Sequence, residues 1–209
     1  MHVAVEALWH RYRRSAGWVL EDVWLKVSAG QLVAVIGPSG SGKTTLLSIV
    51  GGLSRPTRGR VRFEDANRAV LRPSTSWIFQ TANALGWRST LDNVALGLLA
   101  SGFDHRHARD IAQSGLNAVG LQANMTTPTR RLSGGELQRV SIARTLAVAP
   151  QMVLADEPTA QLDRRNADKV ADALAGLRDA ARIVVVATHD PVVADRADTA
   201  VEIVNGRIR

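Results

Sequence analysis

The sequence predicts an α/β protein built on a parallel sheet, and three observations carry that reading. An almost continuous apolar run, residues 31–36, ends in a glycine-rich turn and leads into a helical stretch, residues 43–53. A second apolar run, residues 152–155, ends in the acidic pair Asp156-Glu157. A helical stripe of Ala167, Val170, Ala171, Leu174 and Leu177 then leads to a third apolar run, residues 183–187. Strands and helices in alternation belong to a sheet covered on both faces.

The remaining segments complete the outline. Residues 3–8 and 23–27 mix apolar and polar positions roughly in alternation, as half-buried strands do, and residues 60–63 and 76–79 read as further short strands. From residue 90 to 120 the pattern is helical, with Ala108, Ile111, Ala112, Gly115, Leu116 and Val119 on one face. With a helix expected from about residue 135 to 148, this stretch reads as a helical subdomain inserted at about residues 84–148. Residues 201–204, the Asn205-Gly206 turn and Ile208 close the chain as a hairpin. No repeat, heptad pattern or linker divides the 209 residues, so a single domain is expected.

Composition narrows the functional classes. A hydrophobic fraction of 45% is ordinary for a globular protein and argues against disorder. The absence of cysteine excludes disulfides and thiolate metal sites. The longest apolar stretches, such as residues 94–100 and 183–187, fall far short of the roughly 20 residues a membrane helix needs. Residues 1–14 contain no apolar run of signal-peptide length, so the chain is expected to stay soluble inside the cell. Its net charge of +7 reads as an arginine-rich solvated surface, with attraction to nucleic acid or an anionic membrane face as the alternative. The five tryptophans read as core or subdomain contacts, except Trp87, which follows Gln80 into the inserted subdomain.

The segment Gly37-Pro38-Ser39-Gly40-Ser41-Gly42-Lys43-Thr44 has the spacing of a phosphate-binding loop. Glycines let the backbone curl so that successive N–H groups point at phosphate oxygens, helped by the positive end of the following helix. Lys43 is placed to reach the β- and γ-phosphates of a nucleotide, and the Thr44 hydroxyl to ligate Mg²⁺. The matching acidic strand end supplies Asp156 to hold Mg²⁺ through water and Glu157 to polarise an attacking water. A second glycine-rich helix start, Leu132-Ser133-Gly134-Gly135-Glu136, repeats the logic of an anion site.

With that segment the sequence resembles the ATP-binding cassette ATPases, whose signature reads Leu-Ser-Gly-Gly followed by Gln or Glu. The resemblance covers nearly the whole chain. It implies a P-loop NTPase core with a parallel sheet, an N-terminal antiparallel β-subdomain and an inserted helical subdomain. It places the metal- and water-contacting glutamine at Gln80, at the end of a strand, and the γ-phosphate histidine at His189. The adenine-stacking aromatic falls on Tyr12, and the phosphate-loop contacts extend to Thr45. Ser133, Gly134 and Gly135 would close on the nucleotide of a second subunit. Ala160-Gln161-Leu162-Asp163 occupies the place of the loop that crosses the dimer interface. Ala160-Gln161 departs from the usual Ser-Ala or Gly-Asn, while Leu162 and Asp163 are kept.

The resemblance implies an ATPase that uses ATP and Mg²⁺ and works as a homodimer. It would drive a separate transmembrane permease at the cytoplasmic face of the membrane, with no nucleic acid partner. Residues 132–140 and 189–197 resemble the lipoprotein-releasing and macrolide-efflux subgroup, which favours export. Residues 86–96 are more similar to nitrate, sulfonate and taurine importers. Cassettes of chromosome maintenance carry long coiled coils, repair cassettes carry cysteine zinc modules, and translation-factor relatives pair two cassettes in one chain. None of these features stands in this sequence. A cassette of the cell-division type, which signals across the membrane without moving cargo, is the remaining alternative.

Overall fold

The computed structural model describes residues 1–12, 17–65, 68–69 and 71–209. The chain opens with β1 (His2–His10) and β2 (Leu20–Ser28), then β3 (Leu32–Ile36), α1 (Lys43–Val50), β4 (Arg58–Asp65), β5 (Arg68–Ala69) and β6 (Thr75–Ile78). Three long helices follow: α2 (Thr90–Ala100), α3 (His105–Ala118) and α4 (Gly134–Val148). The last third runs through β7 (Met152–Asp156), α5 (Arg164–Ala175), β8 (Ile183–Thr188), α6 (Pro191–Ala194), β9 (Thr199–Val204) and β10 (Arg207–Ile208).

These strands form two sheets. One is antiparallel, in the order β2-β1-β4-β5; the other has the order β10-β9-β3-β8-β7-β6, parallel except for the closing β9–β10 hairpin. The central strands are apolar throughout because successive residues point to opposite faces and both faces are covered. Val33, Val35, Leu154 and Val185 enter a core shared with α1 and the antiparallel sheet. Leu32, Val153, Ala155 and Val184 enter a second core shared with α2, α3, α4 and α5. The parallel sheet therefore sits between two hydrophobic clusters.

Several local expectations are corrected. The alternation of residues 3–8 extends to a nine-residue strand through irregular pairing with β2; Ala7 lies at φ 45° and Asp22 at φ 49°, and the bulged register hides the true length. The helix after the glycine loop stops at Val50, because Gly51 and Gly52 follow and Gly52 lies at φ 77°. The helical stretch 90–120 is two helices, parted by Gly102 at φ 89° and by Asp104, whose carboxylate accepts from the backbone of Arg106 and His107. Helix α6 was not expected, although Asp190 followed by Pro191 is a helix-start signal. Gln80 does not end a strand: β6 stops at Ile78.

Among the tryptophans only Trp24 departs from expectation, at 58% exposed. Trp9, Trp18 and Trp77 are partly buried, with Trp77 packed against the core around α1, and Trp87, set apart above, is 79% exposed. Trp9 and Trp18 meet edge to face at 5.2 Å, with the Arg11 and Arg58 guanidinium groups over the Trp18 ring, and Trp77 stacks on Phe79. At the surface an indole packs well against a cation or a second ring, so full burial is not required.

Candidate functional site

Strand β3 delivers the chain into the glycine loop under tight constraint. A side chain on Gly37 would lie 2.2 Å from the Ile203 carbonyl oxygen, and one on Gly42 would meet Leu20 and the Val19 carbonyl at under 3 Å. Gly42 also takes φ 110° at the start of α1, where an L side chain is strained. Beside the loop lies a hollow of about 180 Å³ lined by Val19, Gly40, Gly42, Lys43, Thr44 and Thr45. The Ser41 hydroxyl, 3% exposed, has no partner among the described residues. A buried polar atom left open in a glycine loop fits a bound phosphate.

Lys43 is 5% exposed and folds back into its own loop. Its ammonium donates to the Gly37 carbonyl at 2.8 Å and the Pro38 carbonyl at 3.1 Å, and lies 3.3 Å from Glu157 Oε1. The other oxygen of that carboxylate is 2.9 Å from His189 Nδ1. Glu157 is thus held between a lysine from α1 and a histidine from the loop after β8. Its backbone takes φ 46°, a region costly for a non-glycine residue, and is fixed there by its N–H donating to the Ala187 carbonyl at 2.8 Å.

Asp156, at the end of β7, accepts a 3.0 Å hydrogen bond from the Thr44 hydroxyl. Burial pushes its carboxyl above the usual range; the Thr44 bond and Lys43 oppose this, and the Glu157 charge adds to it. A half-buried carboxylate paired with a hydroxyl offers oxygen donors, which suit a hard cation such as Mg²⁺. Gln80 is exposed two residues beyond β6, and the pairing of Ile78 with Ala155 sets the chain there level with Asp156 and Glu157.

Tyr12 is pinned to α1: its hydroxyl lies 3.0 Å from Thr45 Oγ1, and its ring meets buried His10 edge on at 4.9 Å. It is half exposed beside the loop hollow, and the Thr45 hydroxyl faces the tyrosine. Pro38, Ser39 and Gly40 are exposed on the loop.

Ser133 caps α4 and forms a reciprocal capping box with Glu136, whose carboxylate also accepts from the Ser133 hydroxyl at 2.8 Å. Gly134 is exposed at the helix start; Gly135 is buried against Asn166. Asp163 caps α5 by accepting from the Asn166 backbone at 2.9 Å, and the Asn166 amide returns to it at 2.8 Å. These backbone and side-chain bonds from Asn166 hold the Asp163 carboxyl below its usual range. The signature and the crossing loop therefore pack on each other within one subunit.

Sequence reasoning missed the polar residues that fix these pieces. Asn93, 1% exposed, donates to the Leu85, Arg88 and Ser89 carbonyls and accepts from the Leu85 backbone. Arg144 of α4 bonds Asn93 and the Asn83 carbonyl, and Gln138 donates to the Phe79 carbonyl at 2.7 Å. An asparagine among Leu91, Val94, Ala95 and Leu98 is the one legible sign, since a buried amide needs partners.

A strand, glycine loop and helix facing an Asp-Glu strand end, beside a helix-capping signature, define a nucleotide-hydrolysing cassette. Comparison with known proteins agrees. The ABC transporter family model matches residues 20–160. The lipoprotein-releasing system ATP-binding protein LolD of Anaeromyxobacter dehalogenans is 44% identical over 203 residues, covering 91% of this chain and 84% of that protein. The macrolide export ATP-binding/permease protein MacB of Salmonella typhimurium is 37% identical over 199 residues, and this chain spans 31% of its length. The ATP-binding cassette MJ0796, solved as a dimer in a post-hydrolysis state bound to ADP and Pi, aligns with a TM-score of 0.84 at 31% identity. That alignment covers 99% of this chain and 96% of that one. The chain belongs to the ABC transporter family, and it is an ATP-binding, ATP-hydrolysing cassette of that family.

Proposed function

We propose that this cassette works as a homodimer that binds two ATP molecules with Mg²⁺ and drives a separate transmembrane subunit of an export system. The observation that carries the chemistry is Glu157, held between Lys43 and His189 at 3.3 and 2.9 Å. An arriving γ-phosphate draws the Lys43 ammonium away from the carboxylate and from the loop carbonyls. That frees one oxygen of Glu157 to accept the proton of a water attacking the γ-phosphorus, as the bond to the β-phosphate oxygen breaks. His189 holds the other oxygen. When bound at Thr44, Asp156 and Gln80, Mg²⁺ would neutralise phosphate charge. Ser133 and Gly134, with the exposed start of α4, present the anion-attracting end of a helix to the second subunit's nucleotide. Asp163, although spent on capping α5, sits in the loop that would cross the interface.

The partner reading rests on a groove of about 690 Å³ between the parallel sheet and the helices, whose walls include Phe79, Leu85, Leu96 and Val148. These four side chains are between 41% and 50% exposed, and Trp87 stands nearby under the Arg130 guanidinium. No helix among the described residues is long and apolar enough to cross a membrane. An exposed apolar groove of this kind is a face through which force would pass to a membrane subunit. Export is favoured because the lipoprotein-releasing and macrolide-export relatives match over 91% of the chain. We read the helical stretch at about residues 84–148 as the mobile part of a single domain.

Two measurements test this. Removing divalent cations with a chelator is expected to abolish ATP turnover by the purified chain, and added Mg²⁺ to restore it; turnover that survives chelation sinks the metal assignment. Trp87→Ala is expected to leave the melting temperature almost unchanged, because the indole is 79% exposed and surface changes cost within about 0.5 kcal/mol. Pull-down of the copurifying membrane subunit should weaken by roughly 30-fold, as for a central interface aromatic. Undiminished association would show that the coupling surface lies elsewhere.

A further inference from the structure

Thr159 and Asp190 are not among the site residues described above, yet they connect two of the motifs. Thr159 is 3% exposed, two residues after Glu157, at the entrance to the crossing loop. Its carbonyl accepts from the Leu162 backbone at 3.0 Å, which closes the first turn of that loop. Its hydroxyl donates to Asp190 Oδ2 at 2.7 Å, across 31 residues of chain. The other oxygen of Asp190 accepts from the Val192 backbone at 2.9 Å and so starts α6, while the Asp190 N–H donates to the Thr188 hydroxyl at 3.0 Å. His189 lies between these two anchored residues, with its imidazole against Glu157.

A second tie runs in parallel. Arg196, just beyond α6, pairs with Asp172 at 2.7 Å and with Asp168 at 3.0 Å on α5, the helix that the crossing loop feeds. It also donates to the Val192 carbonyl at 2.9 Å. The segment carrying His189 is thus bracketed by the start of the crossing loop on one side and the helix after it on the other. A displacement of residues 160–163 that carries Thr159 with it moves Asp190 as well while the short Thr159 bond holds.

The geometry points to Thr159 and Asp190 as a positioning pair: they set His189 against Glu157 and pass the engagement of the crossing loop on to it. This rests on the assignment of Glu157 and His189 proposed above. Neither Thr159 nor Asp190 reaches the reacting atoms in this role; they fix the angle at which the imidazole meets the carboxylate. Removing the Thr159 hydroxyl leaves one Asp190 oxygen without its donor and lets the segment drift.

ATP turnover by the purified full chain tests the pair. Thr159→Val, which keeps shape and loses the hydroxyl, is expected to lower kcat about tenfold, the effect of one hydrogen bond to a charged group, with KM for ATP within about twofold. Thr159→Ser is expected to return most of that loss. In a His189→Ala background, Thr159→Val should cost less than about twofold more, because the residue it positions is gone. Should Thr159→Val melt early, Thr159→Ala gives the same comparison. An equal fold-loss with and without His189, a rise in KM in place of a fall in kcat, or no rescue by serine overturns the pair. If His189→Ala alone keeps wild-type turnover, the site assignment itself fails and the pair with it.

Discussion

Replacing Glu157 by glutamine is expected to lower ATP turnover by at least about a hundredfold while leaving ATP binding intact. Glutamine keeps the size of the side chain but cannot take a proton from water. The variant also breaks the ion pair that draws Lys43 away from the phosphate position, since Glu157 Oε1 lies 3.3 Å from its ammonium. ATP affinity should therefore equal or exceed that of the native chain. With hydrolysis blocked, the protein is expected to accumulate as an ATP-bound dimer. Nucleotide titration and single-turnover assays on the same preparation separate the two effects. Turnover near the native rate would remove Glu157 from the chemistry.

The second large effect is expected from a carboxylate placed at the signature, and the structure selects the position. A side chain on Gly135 would sit 2.8 Å from Asn166 Cβ and Cγ, so Gly135→Asp would disturb the subunit's own packing as well as any partner. A side chain on Gly134 meets only Leu162 Cδ2, at an ordinary 3.5 Å. An acidic residue in the first turn of α4 also suits the helix dipole, so Gly134→Asp should not lower the melting temperature. In the dimer it would face the partner's γ-phosphate. Two like charges roughly 4 Å apart at a partly screened site repel by about 4 kcal/mol, which weakens dimerisation on the order of a thousandfold. Combined with Glu157→Gln, the change is expected to leave a monomer on ATP by light scattering, with ATP binding unchanged. A dimer of normal affinity would falsify the two-subunit site.

The parts legible in the sequence were those with local causes. The glycine loop, the acidic end of β7 and the capped start of α4 each depend on residues adjacent in the chain, where spacing maps directly onto geometry. The two-sided burial of β3, β7 and β8 shows in their uninterrupted apolar runs. What stayed hidden depends on partners distant in sequence. The close packing of Gly135 on Asn166, the hold of Arg144 on Asn83 and Asn93, and the bond from Thr159 to Asp190 span 31 to 61 positions. No periodicity records such pairings. The bulged strands are an intermediate case: Ala7 and Asp22 adopt positive φ without being glycine, so local chemistry gave no sign of the irregular register.

The stretch from Asn83 to Asn93 has a further consequence for the choice of partner. One asparagine fills the inside of its turn and one arginine ties it to α4, so its backbone course is set by side chains of the chain itself. Leu85 and Trp87 in the same stretch are 50% and 79% exposed. If this stretch meets the membrane partner as proposed, its outward side chains set the match to that partner, while the inward bonds keep the backbone course whatever those side chains are.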